Sequence, residues 1–232
     1  MKKIVLVNPP SSLEVEFGVL AAGGSYRPPL QLATLAACLR EAGIEVSILD
    51  CLALNLGYQQ VLERILQSGA EYVGITATTL TIHNAAKLAK RLKEARPDLK
   101  TIIGGVHATL LPQDTLKRFP HFDLLVVGEG EQTLPQALET WDKKGSWADL
   151  PGIAYRHNGD ICLTERRPFI NKLDTLPFPA WDLLPNLTQC YQPAMMRHVR
   201  LPSAYILTAR GCPFRCSFCA GRAVMGRTYR AH

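Results

Sequence analysis

Three cysteines near the carboxyl-terminal end, Cys212, Cys216 and Cys219, follow C-x3-C-x2-C spacing. Three thiolates so spaced suit a [4Fe–4S] cluster that keeps one iron without a protein ligand, free to grip a substrate or cofactor. Two other readings use the same residues. Positions i, i+4 and i+7 share one helix face, so the thiols could simply pack in a core; Gly211 and Pro213 argue for a loop there instead. A zinc ion could take the three sulfurs with a fourth ligand such as His232. The remaining thiols, Cys38, Cys51, Cys162 and Cys190, are scattered. An odd total of seven, with no secretory leader expected from the short apolar run at 4–7, makes a poor disulfide framework. These four are expected to be small buried apolar residues.

A second group of candidate residues becomes visible once the elements are laid out. Residues 3–8 (KIVLVN) form a short apolar run closed by Pro9-Pro10, as a buried parallel strand would. Leu32, Leu35, Ala36 and Leu39 recur at helical spacing, with Gly43 placed to end the helix. Further strands are expected at 46–49, 72–76, 101–103 and 124–127, and further helices near 58–68, from Ala85 to Leu92, near 113–119, and through Leu134, Leu138 and Trp141. Five strands alternating with five helices predict an α/β fold, a doubly wound five-stranded parallel sheet of the Rossmann or flavodoxin-like kind. Such sheets bind ligands outside the carboxyl ends of their strands.

Unusual residues collect at those ends. Strand three runs into Thr76, Thr78 and Thr79; strand four ends in Gly104, Gly105, His107 and Thr109; strand five ends in Gly128, Glu129, Gly130 and Glu131. Glycines let backbone approach a ligand closely, and hydroxyls and amides bind its polar groups. The bland alternatives are a structural histidine at His107 and helix capping by the threonines. A loop of about twenty residues after strand one is long enough to suggest function or disorder. Past residue 145 the pattern changes: Asn158-Gly159 marks a β-hairpin, Pro168, Pro177, Pro179 and Pro185 mark an extended connector, and Ala204–Thr208 reads as a strand leading into the cysteines.

Charge is unevenly spread. The net +6 comes from residues 183–232, which hold seven arginines (197, 200, 210, 215, 222, 227 and 230) and no Asp, Glu or Lys; residues 1–182 hold 19 basic and 20 acidic groups. A nucleic-acid surface is one explanation. The preferred one is an unfinished domain whose acidic partners lie elsewhere, so no nucleic-acid partner is expected. No apolar run approaches the roughly 18 residues of a membrane span, and a cytoplasmic protein is expected.

The run Thr208-Ala209-Arg210-Gly211-Cys212-Pro213-Phe214-Arg215-Cys216-Ser217-Phe218-Cys219 closely resembles the cluster loop of radical SAM enzymes. The resemblance implies that Cys212, Cys216 and Cys219 hold a [4Fe–4S] cluster whose open iron chelates S-adenosyl-L-methionine, with Phe218 beside the adenine. In that family, electron transfer from the cluster releases a 5′-deoxyadenosyl radical, which implies an electron donor such as a flavodoxin or ferredoxin. The segments 104–109 (GGVHAT) and 128–134 (GEGEQTL) resemble strand-end signatures of the cobalamin domain that precedes the barrel in many such proteins, and 176–182 (LPFPAWD) resembles the connector. This implies cobalamin contacts at Thr76, Thr78, Thr79, Gly104, Gly105, His107, Thr109, Gly128, Glu129, Gly130 and Glu131. It also implies a small-molecule substrate that is methylated or rearranged at an unactivated carbon. No D-x-H-x-x-G follows strand one, so no histidine ligand to cobalt is expected from that motif.

The division expected is a cobalamin domain over 1–145, hairpin and connector over 146–200, and over 201–232 the first strand and cluster loop of a radical SAM barrel cut short. No catalytic residue is assigned, and this chain alone is expected to be inactive. The alternative is a non-enzymatic Rossmann-like binding module with a zinc-stabilised tail. A response-regulator receiver would need an acidic residue where Thr76 stands and a lysine where Gly128 stands; a nicotinamide dehydrogenase would need G-x-G-x-x-G after strand one. Neither is present.

Overall fold

The structure is a computed structural model that describes residues 2–191, 193 and 204–232. Arg197 and Arg200 of the basic segment, and the junction expected near residue 200, lie outside the described residues. The front of the chain alternates strand and helix: β1 (Lys3–Asn8), α1 (Leu13–Phe17), α2 (Leu30–Glu41), β2 (Glu45–Asp50), α3 (Tyr58–Ser68), β3 (Tyr72–Thr76), α4 (Ile82–Ala95), β4 (Lys100–Gly104), α5 (Val106–Leu110), α6 (Pro112–Arg118), β5 (Leu124–Val126) and α7 (Gly130–Asp142). Strands β1 to β5 are parallel in the order 2-1-3-4-5. The doubly wound five-stranded sheet is therefore present.

Side-chain alternation along the strands divides the core in two. Ile4, Leu6, Ile102, Leu124 and Val126 face Leu32, Ala36 and Leu39 of α2 and Leu134 and Leu138 of α7. Val5, Val7, Val73, Ile75, Ile103 and Leu125 face Val61 and Ile65 of α3, Ala85, Leu88 and Leu92 of α4, and Leu116 of α6. Helix ends follow local chemistry. Gly43, at φ 72°, lets the Ile44 amide return to the Leu39 carbonyl (3.0 Å) and so closes α2. Gln60 reaches back to the Gly57 amide at the start of α3 (2.9 Å).

Four sequence expectations change. First, the hairpin is not a separate unit. Its strands β6 (Ile153–His157) and β7 (Asp160–Leu163), turning on Asn158 and Gly159 at φ 51° and 90°, pair antiparallel with β5 and extend the sheet to seven strands. Second, the proline-rich connector is tethered, with Ile170, Leu173, Ala180 and Leu184 buried. Single 3-10 turns form at Leu173–Thr175 and Trp181–Leu183, the Ala180 amide bonds the Ala33 carbonyl (3.0 Å), and Asp182 takes both Arg40 guanidinium nitrogens (2.9 and 2.6 Å). Third, Ala204–Thr208 carries no strand ladder. The strand pair near the cysteines is β8 (Ala209–Arg210) with β9 (Arg230–Ala231), and α8 (Gly221–Met225) lies between them. Fourth, among the scattered thiols only Cys51 is buried; Cys38, Cys162 and Cys190 are half-buried. Burial pushes the Cys38 thiol up to about 12, which leaves it protonated and unreactive at neutral pH.

The connector also closes over the ends of β1 and β2. Tyr191 donates to Asp50 Oδ2 (3.0 Å) and Asn8 Nδ2 to Asp50 Oδ1 (2.9 Å), at a carboxylate only 1% exposed. Burial raises the Asp50 pKa above its ordinary value despite those donors. A raised folded-state pKa means that the associated stability is full below the ordinary aspartate range and is lost as pH rises through the folded value. The urea midpoint of the wild type should therefore fall relative to that of Asp50→Asn as pH rises from about 4 to 7. A constant difference across that window would show that Asp50 titrates normally.

Candidate functional site

A cavity of about 270 Å3 opens at the carboxyl ends of the parallel strands, on the face covered by α2 and α7. Its walls are largely apolar: Leu6 from β1, Ile102 from β4, Val126 from β5, Leu35 from α2 and Leu134 from α7. Gly74 lies on its floor. A Cβ there would stand 2.9 Å from Leu6 Cδ2 and would push that side chain aside, so this strand glycine marks a close approach of side chains beside the cavity.

Most of the strand-end residues singled out from the sequence come together at its rim. Thr76, Gly104, Gly105, Thr109, Gly128, Glu129, Gly130 and Glu131 all line it. Thr109 Oγ1 accepts from the Gly128 amide (3.0 Å) and ties the β4 rim to the β5 rim. Thr78, Thr79 and His107 do not line it. The Thr78 amide bonds Thr81 Oγ1 (3.0 Å) and shapes the turn into α4. His107 sits on α5, buried, its Nδ1 3.2 Å from Thr79 Oγ1, and burial lowers its pKa, which favours the neutral ring.

The rim glycines differ in what requires them. At Gly105 (φ 91°) a Cβ would lie 2.6 Å from Thr76 Oγ1 and 2.8 Å from the Ala77 carbonyl oxygen. At Gly128 (φ 79°) it would meet nothing within 4 Å, and the space above is open. Gly128→Ala should therefore cost only the left-handed backbone penalty, about 1–2 kcal/mol. Gly105→Ala adds a collision to that penalty and should cost clearly more in urea unfolding. Equal losses would place no special packing at Gly105.

The roof comes from the far end of the chain: Leu207, Arg210, Val224 and Met225. It is held by charge. Arg210 pairs with Glu131 (2.7 Å) and Glu129 (3.2 Å), and Arg230 with Glu129 (2.8 Å), all with side chains at most 11% exposed. Glu129 Oε2 also accepts from the Ile170 amide (2.8 Å). Burial alone would raise the Glu129 pKa, but Arg230, that amide and Arg210 outweigh it and hold the carboxyl below its usual range. Two of the seven arginines, Arg210 and Arg230, thus find their acidic partners inside this chain, and for these two the expectation that such partners lie elsewhere is corrected.

The cysteine loop hangs beside this roof. Gly211, at φ 93°, would place a Cβ 1.9 Å from the Thr228 carbonyl oxygen, so only glycine lets the strands of the loop approach so closely. The Cys212 amide bonds the Gly226 carbonyl (3.1 Å), and the Cys219 amide the Cys216 carbonyl (3.2 Å). Cys212 is half-buried; Cys216, Cys219, Phe214 and Phe218 are exposed. Among the described residues the three sulfurs are not gathered into a metal-holding group. Free thiols have no mutual attraction that would gather them. His232, the fourth ligand of the zinc reading, is held 3.1 Å from Asp174.

The family model described as the B12 binding domain matches residues 18–138. The chain belongs to the B12-binding domain family. Of curated relatives, an uncharacterized methyltransferase from Pyrococcus horikoshii is 34% identical over 99% of this chain and 48% of its own length. An anaerobic magnesium-protoporphyrin IX monomethyl ester cyclase from Rubrivivax gelatinosus is 36% identical over 83% of this chain and 35% of its own length. The chain thus spans about half or less of the length of these relatives. Among solved structures, the cobalamin-dependent S-adenosylmethionine radical enzyme OxsB superimposes over the whole chain with a TM-score of 0.77 at 22% identity, covering 30% of that protein. This confirms the fold. Among the described residues, no helix of this B12-binding domain protein is long and apolar enough to cross a membrane.

The sequence reading missed the apolar walls, because Leu6, Ile102 and Val126 look like any other core residue. It also missed the roof. Gly74, a glycine inside a strand, is a local signal that points to the walls as the strand-end residues point to the rim.

Proposed function

We propose that this chain is the cobalamin-carrying and cluster-carrying part of a radical SAM enzyme that methylates or rearranges an unactivated carbon of a small molecule. One observation carries the reading: the cavity at the strand ends of a B12-binding domain is roofed by the segment that bears the three cysteines. The residues fit a corrinoid. The apolar slot suits its flat, largely hydrocarbon parts, the bare backbone at Gly104, Gly128 and Gly130 allows close approach, and the hydroxyls of Thr76 and Thr109 lie within the same rim. Glu129 and Glu131 are already engaged by arginines, so their part is to hold the roof.

The C-x3-C-x2-C loop fits a [4Fe–4S] cluster with an open iron for S-adenosyl-L-methionine, and Phe218, exposed, is free to stack on adenine. Together the two cofactors would supply a methyl carrier and a one-electron reductant, fed by a donor such as a flavodoxin or ferredoxin. The chain's own residues exclude water from the corrinoid face and keep the cluster loop at its edge. Residues 1–145 would carry the corrinoid, and 201–232 would open the radical SAM domain.

The test is magnetic. With the cluster reconstituted and reduced and a cobalt(II) corrinoid bound, each paramagnetic signal should relax faster or split when the other is present. Two independent, unperturbed signals would contradict the shared site. A colourless protein that binds zinc and no iron would favour the alternative, a binding module with a zinc-stabilised tail.

A further inference from the structure

We infer that Glu129 and Glu131 are positioning residues whose pairing with Arg210 and Arg230 docks the cysteine loop onto the strand-end cavity and sets its place relative to whatever fills that cavity. The inference rests on the function proposed above and specifies how its two halves are held in register.

The geometry is unusual for a surface contact. Arg210 spans both acids, and Glu129 in turn receives Arg230 on both carboxylate oxygens (2.8 and 3.1 Å). Arg230 then donates to the Ile170 carbonyl (2.7 Å) and the Met225 carbonyl (2.9 Å), and its guanidinium lies 4.9 Å from the centre of the Phe169 ring. One carboxylate therefore joins the helix start after β5, the connector and the cysteine segment. Each arginine sits on one strand of the β8–β9 pair, where Ala209 and Arg210 face Ala231 and Arg230. Arg210 stands two residues before Cys212, and Glu129, Glu131 and Arg210 all line the cavity.

A structural role alone does not explain this arrangement well. Charges this deeply buried are expensive, and an apolar contact would hold the same elements at least as stably. What ion pairs with shared, directional hydrogen bonds give is a single register between the parts they join. Here those parts are the wall of the cavity and the first cysteine of the loop.

The experiment compares Glu129→Gln and Glu131→Gln with wild type by amide hydrogen exchange of the full chain, with and without hydroxocobalamin. Glu139→Gln, which removes a surface pair with Lys143 on the same helix, is the control. The inference expects exchange across 207–232 to rise by at least about tenfold in both variants while β1, β3 and β4 keep their protection. It also expects the control to behave as wild type and the magnetic coupling between the two cofactors to weaken although each still binds. Unchanged exchange across 207–232 in both variants would overturn it. So would a rise spread evenly over the sheet, which would make the acids ordinary stabilisers of the fold. Failure of wild type to bind the corrinoid would sink the functional reading and leave the exchange comparison to decide the docking.

Discussion

Val126→Phe is expected to abolish corrinoid retention while leaving the free protein as stable as wild type. Val126 ends β5, is 6% exposed and lines the cavity on the side of α2 and α7. A phenyl ring added there grows into about 270 Å3 of space that the apolar walls leave open. Enlarging a residue in a filled core usually costs 1–3 kcal/mol, but growth into an existing void avoids most of that strain. The unfolding free energy from urea titration should therefore stay within about 1 kcal/mol of wild type, or rise. Affinity for hydroxocobalamin should fall by about a hundredfold or more, roughly 2.8 kcal/mol. Retained affinity in the folded variant would move the corrinoid out of the cavity.

Replacing Cys212, Cys216 or Cys219 singly by alanine should remove nearly all iron taken up on anaerobic reconstitution, against about four irons in the wild type. The same change at Cys38 or Cys162 should leave iron content unchanged, since neither lies in the loop and the Cys38 thiol is held protonated. His232→Ala should also be silent, because that imidazole is engaged with Asp174. Iron content and the visible spectrum after desalting decide the matter. Equal iron in all variants would mean adventitious binding, and loss on His232→Ala would revive a four-ligand site.

What the sequence made legible was whatever repeats locally. The run at 72–76 is apolar, short and bounded by Gly69 and the threonines, and it forms β3 over that range. Asn158-Gly159 announces its turn because both residues must take positive φ. Helix α5 went unseen because five residues make little more than one turn, too few for a 3.6-residue period to register. The prolines of the connector were read as a spacer, since nothing local says that Ala180 and Leu184 will be buried against α2.

The site divides the same way. Its rim was legible in the glycines and threonines at the strand ends, because sheet topology alone sends ligands there. His107 was grouped with them by sequence proximity, yet α5 turns its ring toward Thr79 and away from the cavity. The roof is the clearest failure of local reading. Glu129 meets Arg210 and Arg230 across 81 and 101 residues, and no spacing rule reaches that far. The excess of arginine after residue 183 is plain in the sequence, but nothing local pairs Arg210 with Glu129 and Glu131.

The most direct measurement is corrinoid retention by the wild-type chain. After anaerobic incubation with hydroxocobalamin and desalting, the visible spectrum should show one corrinoid per chain. A protein shown to be folded by circular dichroism that retains none would contradict the assignment of the strand-end cavity as a cobalamin site.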